Sequence, residues 1–156
     1  MRIGRRLASF LVALFAVGTV AVSAGPAFGS ATSTTIRTTT VEDSPDVGCR
    51  EQDVLHLEGD VLLHQVEVNG GLQTNVITRG TVTFTEEGQS FAGTFTRTFA
   101  GLFPADGSVV ITQTFTSTAR GDMGDAAVLH VTAHVTYLAS RNTLTAQFFI
   151  LHQSCA

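Results

Sequence analysis

The chain has 156 residues, which is the size of one domain. It is 44% hydrophobic and only 14% charged, a composition that excludes a solvated disordered segment. All nine basic residues are Arg, against 13 acidic residues, and so few cations exclude a surface built to hold a nucleic-acid backbone. Threonine is the residue in surplus, with 23 copies.

The first segment has the three-part order of a secretory signal peptide. Arg2, Arg5 and Arg6 precede an apolar run of 16 residues, and small residues follow as far as Ala31. The run is shorter than the roughly 20 residues that span a bilayer. We therefore expect residues 1–31 to be a signal peptide cleaved between 24 and 31, and the protein to be secreted, with no stable membrane insertion after cleavage. Export leaves six Arg against 13 acidic residues, and this acidic balance disfavours nucleic acid and anionic membranes as partners.

The two cysteines frame the part of the chain that we expect to fold. Residues 32–48 are a Ser/Thr-rich leader in which 34–41 has the composition of an optional edge strand. Residues 49–156 form the predicted domain. In an oxidising compartment, Cys49 and Cys155 are most simply paired as a disulfide. It would close a loop of 106 residues, and the chain-entropy model gives such a loop about 4–5 kcal/mol.

Beyond Cys49, apolar alternation is broken by turn residues at short intervals, which is the pattern of an all-β meander. The pattern predicts strands near 53–68, 73–85, 90–101, 108–119, 127–138 and 143–152. Strands this long in sequential order favour an antiparallel up-and-down meander of about six to eight strands, closed as a β-barrel. A β-sandwich is the alternative, although its strands are usually shorter.

Alternation also predicts which residues face each other across the hairpins. If each hairpin closes symmetrically about its turn, an apolar face rich in Phe lies opposite a face rich in Thr. The predicted pairs are Phe84 with Phe91, Phe99 with Val109, Phe115 with Val131, Ala133 with Phe148, and Gly93 with Phe115. On the other face, Thr81, Thr94, Thr114 and Thr132 are predicted to form one row.

Two segments carry a resemblance to known proteins. These are Gly93-Thr94-Phe95-Thr96 and Leu129-His130-Val131-Thr132-Ala133-His134, in a chain whose strand order covers about residues 50–155. In this layout the protein resembles small secreted bacterial single-domain β-barrel proteins of the lipocalin-like or dirigent-like kind. The resemblance implies a barrel fold and carries no functional residue over to this chain.

The motifs of common catalytic sites are missing from the sequence. It contains no Gly-x-Ser-x-Gly, no His-Glu-x-x-His and no phosphate-binding loop. His130 and His134 share a face, but four strand residues separate them by about 13 Å, too far for one metal ion. They are expected beside Thr116 and Thr112 on the outer face. We therefore expect no metal and no cofactor, and the sequence leans against an enzyme.

Strand alternation places one basic residue on the apolar face. Arg97 follows Phe91 and Phe95 at even spacing, and an unpaired guanidinium inside a barrel would be costly. Arg97, Gln113, Phe95 and Tyr137 are therefore the candidate ligand-binding residues, with Arg97 anchoring a carboxylate or other polar head. Alternatively, Arg97 lies at the barrel rim, extends to water, or pairs with an acid such as Glu67.

The hypothesis that follows is a secreted β-barrel protein binding a small, largely apolar ligand in its interior. A protein-binding or inhibitor module with a filled core is the alternative, since an eight-stranded barrel holds either one small ligand or its own side chains. A Thr-face ice-binding protein and an enzyme are weaker alternatives.

Overall fold

The protein is described by a computed structural model over residues 31–45, 54–86 and 88–155. The predicted signal peptide, apart from residue 31, and Cys49 lie outside the described residues. The described part is a sequence of antiparallel strands with one short 3-10 turn at Ala139–Arg141. The strands are β1 Thr32–Pro45, β2 Val54–Val68, β3 Gly71–Glu86, β4 Gln89–Phe103, β5 Val109–Gly121, β6 Ala126–Leu138 and β7 Thr143–Cys155.

The strands form one sheet in the order in which they occur along the chain. The predicted all-β meander is confirmed, and each of the six predicted strands begins and ends within three residues of the prediction. The optional edge strand in the leader is present as β1. A single sheet is not a sandwich. Within the described ranges β1 and β7 are the two outer strands, so the predicted closed barrel is not confirmed.

Two of the predicted registers are confirmed and two are wrong. Phe84 faces Phe91 in the β3–β4 pair, and Phe115 faces Val131 in the β5–β6 pair, as predicted. In the β4–β5 pair, however, Phe99 faces Gln113 instead of Val109. The same shift places Gly93 opposite Ala119 instead of Phe115, and Thr94 opposite Thr118 instead of Thr114. The predicted row of four threonines is therefore two separate pairs, Thr81 with Thr94 and Thr114 with Thr132.

A β-bulge causes the second register error, in the β6–β7 pair. Tyr137 faces Leu144 and Thr136 faces Ala146, so Thr145 is the extra residue on β7. Beyond the bulge the described β7 side chains point to the face opposite to the predicted one. Phe148 therefore faces His134 instead of Ala133, and it lies on the outer surface.

The core occupies one half of the inner face, the face on which the buried side chains alternate. It is a single cluster that draws on every strand from β2 to β6, with Leu55, Leu57, Val82, Phe84, Phe91, Phe95, Phe115, Ala119, Ala127, Leu129 and Val131 as its members. Strands in a sheet lie about 4.8 Å apart, so β1 and β4 would be about 14 Å apart in a flat sheet. The ion pair between Glu42 on β1 and Arg97 on β4 therefore requires a strongly coiled sheet.

Glycines permit this coiling where neighbouring strands approach on the inner face. A Cβ added to Gly93 would collide with the carbonyl oxygen of Thr118 and lie 2.5 Å from the Cα of Ala119. A Cβ on Gly80 would collide with the carbonyl oxygen of Glu58. Glycines at such points allow strands to bend sharply. Gly59 faces Gly80 at one of these close approaches.

Candidate ligand-binding face

Arg97 lies on the inner face of β4, as predicted, and forms an ion pair. Its Nη1 donates a hydrogen bond to Oε2 of Glu42 on β1 at 2.9 Å. The side chains of Arg97 and Glu42 are only 13% and 19% exposed. Of the predicted alternatives, an acid partner is therefore the outcome, although the acid is Glu42 and not Glu67.

The ion pair also shows that the sheet is strongly curved. Glu42 faces Leu57, and the same cross-strand row continues through Val82 to Gly93 on β4. Arg97 is four residues beyond Gly93, or about 13 Å along the strand, and β1 and β4 would lie about 14 Å apart in a flat sheet. Side chains of this length meet only because the sheet coils around the inner face.

Gln113 and Phe95 are both buried near Arg97. Thr78 faces Arg97 directly, as predicted, and is 1% exposed. Gln113 is buried between Phe99 and Ala133 on the neighbouring strands. Phe95 belongs to the core, where its ring stacks on that of Phe115 at a centroid distance of 5.8 Å. Phe95 is thus a packed core residue, whereas Gln113 lies at the edge of the core.

Tyr137 lies apart from the other three candidates, near the turn that joins β6 to β7. Its hydroxyl donates a hydrogen bond to Oδ1 of Asn142 at 2.9 Å. Asn142 has a left-handed backbone conformation, with φ of 46°, just before β7 begins. The structure gives Tyr137 a local role at this turn, and it does not bring the hydroxyl to Arg97.

Beyond Arg97 the inner face is only partly covered on β4, β5 and β6, whereas Leu63 and Val76, which continue the row of Phe99 onto β2 and β3, are buried. We call this region the open half: it is the part of the inner face formed by Phe99, Ile111, Gln113, Ala133 and Val135. Phe99, Ile111, Ala133 and Val135 are half-buried, and Gln113 is buried. Phe99 faces Gln113, Gln113 faces Ala133, and Ile111 faces Val135, so the five residues form one continuous surface across β4, β5 and β6. Apolar surface around a single buried amide suits a small ligand that is mainly apolar.

His130 and His134 lie on the outer face and are hydrogen-bonded to threonines. Nδ1 of His134 lies 2.7 Å from Oγ1 of Thr112, and Nδ1 of His130 lies 2.8 Å from Oγ1 of Thr116. These are the neighbours predicted for the two histidines. Within residues 31–45, 54–86 and 88–155, no group of three or more His, Cys, Asp and Glu side chains is placed to hold a metal ion.

Glu42 is the residue of this site that the sequence did not reveal. It lies in the segment interpreted as a leader, 55 residues before Arg97. The sequence indicates the position of Glu42 only through strand alternation, because Glu42 is an even number of residues from Ile36, Thr38 and Thr40 on the inner side of β1. Cys155 ends β7 opposite Ala127, and its predicted partner Cys49 is not among the described residues, so the disulfide stays a prediction.

Comparison with protein-family models, curated proteins and solved structures finds no match to this chain. Among the described residues, no helix is long and apolar enough to cross a membrane.

Proposed function

We propose that this is a secreted protein that binds a small, largely apolar ligand on the open half of its inner face. The observation that carries the proposal is the contrast between the two halves. One half is filled by its own side chains, whereas Phe99, Ile111 and Val135 remain half-buried around the buried Gln113. Binding would remove this apolar surface from water, and each Å² of it buried would contribute about 25 cal/mol to the free energy of binding.

Closure of the barrel is part of this proposal. The seven strands alternate in direction, so β1 and β7 run the same way and would close the barrel through a parallel pair. The predicted disulfide supports closure, because Pro45 at the end of β1 and Cys155 at the end of β7 lie at the same end of the sheet. Slow exchange of the amides of β1 and β7 that point away from β2 and β6 would support the parallel pair. Fast exchange of these amides in both strands would refute it.

The binding proposal is tested on the protein secreted from cells. Native mass spectrometry of the freshly purified protein should detect a co-purifying small molecule, and a panel of apolar compounds should raise the melting temperature. Phe99→Ala should weaken binding, while Leu102→Ala on the same strand should not, because Leu102 lies on the outer face and is 47% exposed. A ligand-free mass together with no thermal shift from any compound would refute the proposal.

A second candidate function rests on an apolar patch on the outer face of β6 and β7. Phe148 and Ile150 are 47% and 55% exposed, and Val128 lies on the same face. Strand β7 has no charged residue in a chain that is otherwise acidic. Two copies of this chain could therefore bring their patches together without charge repulsion. A concentration-dependent dimer that Ile150→Arg abolishes would favour this function, and a monomer at every concentration would exclude it.

A further inference from the structure

The inner face holds few charged groups, and its cation is already neutralised. By register, the charged residues placed on this face in the described part of the chain are Glu42, Glu67, Glu86 and Arg97. Glu67 and Glu86 lie at opposite ends of the sheet, next to its turns. Arg97 is thus the one inner-face cation among the described residues, and Glu42 occupies it.

The ion pair lies where the filled half of the inner face meets the open half. Arg97 faces Phe115, a core member, and the next inner-face residue along β4 is Phe99, which belongs to the open half. Both charged side chains are largely buried. Coulomb interactions are stronger in such surroundings than in water, and breaking a buried pair leaves a charge without compensation.

An anionic ligand would therefore meet an obstacle in the open half. Its acidic head would have to displace Glu42 from Arg97, or be buried beside the Glu42 carboxylate with one guanidinium for two negative charges. Both outcomes are unfavourable, because a buried charge is tolerated only when it is paired. A ligand without charge meets neither difficulty.

We propose that Glu42 makes this site selective for uncharged apolar ligands by occupying Arg97. This inference rests on the proposed function, and it makes Glu42 a specificity-determining residue. Discrimination arises from an element that repels the wrong ligand, in addition to the apolar contacts that favour the right one. The sequence-based expectation that Arg97 anchors a ligand carboxylate is replaced by this role.

Two fluorescent probes with the same ring system test the proposal. N-Phenyl-1-naphthylamine is neutral, and 8-anilinonaphthalene-1-sulfonate adds one sulfonate to that skeleton. The wild-type protein should bind the neutral probe at least about tenfold more tightly than the anionic one. Glu42→Gln should reduce or reverse this preference by at least about tenfold, because it leaves Arg97 with an unpaired charge.

The neighbouring residue provides a matched control. Asp43→Asn makes the same change in net charge one position along β1, but Asp43 points to the outer face, where it is 69% exposed and 2.8 Å from Nδ1 of His56. This variant should keep the wild-type preference. If it shifts the preference as far as Glu42→Gln does, overall charge is responsible and the proposal is wrong.

The wild-type protein alone also tests the selectivity, should Glu42→Gln fail to fold. Dodecanol should displace the neutral probe at a lower concentration than dodecanoate. Equal binding of the neutral and anionic members of both pairs would overturn the selectivity while leaving the proposed function intact. Failure of every probe and competitor to bind would overturn the proposed function itself, and the selectivity with it.

Discussion

Replacing Gly93 with alanine tests the coiling of the sheet on which the site depends. Gly93 lies on β4 opposite Ala119 of β5, and the added Cβ would collide with the carbonyl oxygen of Thr118. It would also lie 2.5 Å from the Cα of Ala119 and 2.7 Å from the carbonyl carbon of Thr118. All of these are backbone atoms, so no side-chain rotation can relieve the contact.

The size of the effect follows from these distances. Carbon atoms in favourable contact are about 3.5–4.0 Å apart, so β4 and β5 must separate by about 1 Å at this point. Overpacking of this kind costs about 1–3 kcal/mol, and a collision with backbone places Gly93→Ala at the upper end. The lower entropy of the unfolded chain returns about 0.4–1 kcal/mol. We expect the free energy of unfolding to fall by about 2 kcal/mol, which lowers the melting temperature by about 6–10 °C in a chain of this size.

The assay is urea and thermal unfolding followed by far-ultraviolet circular dichroism, since the chain has no Trp to report on unfolding. Gly71→Ala is the control, because the nearest atoms to its added Cβ are at an ordinary contact distance of 3.4 Å. The control should be as stable as the wild type or slightly more stable. If Gly93→Ala is equally stable, β4 and β5 do not approach closely at Gly93, and the account of the coiled sheet is refuted.

Three further predictions concern packing, register and the disulfide. Leu55→Ala should lower the free energy of unfolding by about 2–5 kcal/mol because Leu55 is buried in the core, whereas Leu102→Ala on the exposed face should change it by less than about 0.5 kcal/mol. Equal effects of the two variants in denaturant titrations would contradict the assignment of faces. Deleting the bulge residue Thr145 should leave the melting temperature nearly unchanged because every β6–β7 pair survives, whereas deleting Thr132 should lower it because the rest of β6 then turns its side chains to the opposite face. A Thr145 deletion that unfolds the protein would contradict the bulge. Cys155→Ala should lower the free energy of unfolding of the oxidised protein by up to about 4–5 kcal/mol and have no effect in reducing agent; an unchanged melting temperature under oxidising conditions would rule out the predicted disulfide.

Local pattern predicted the fold class because side-chain alternation is a property of each strand alone. The registers of β3–β4 and β5–β6 followed as well, since those hairpins close symmetrically about their turns. The outer-face partners Thr112 with His134 and Thr116 with His130 are a direct consequence of the second register. These hydroxyl–imidazole contacts add polarity without charge to a face that has no Lys, and they use two of the surplus threonines.

One register error came from a turn and the other from a β-bulge inside a strand. The turn between β4 and β5 is centred on Asp106, whose Oδ1 accepts a hydrogen bond from the Ser108 amide at 2.8 Å. Gly107 adopts a φ of 81°, and its amide donates to the carbonyl of Pro104. The predicted register placed the centre of this turn two residues earlier, which changes the partners across β4 and β5 but leaves each side chain on its predicted face. The bulge at Thr145 instead adds a single residue to β7, and a shift by one residue moves the side chains beyond it to the opposite face.

Curvature is the property that alternation does not encode, and it decides which residues of the inner face meet. The sequence places Arg97 on that face but gives no reason to connect it with Glu42, which lies three strands away and 55 residues earlier in the chain. The glycines at positions 80 and 93 let the strands bend, and the bend brings β1 across to β4. The same coiling packs the filled half against itself and leaves the open half beyond Arg97. The ion pair between Arg97 and Glu42 therefore depends on the close backbone approach at Gly80 and Gly93. This dependence links the loss of stability expected for Gly93→Ala to the change in ligand preference expected for Glu42→Gln.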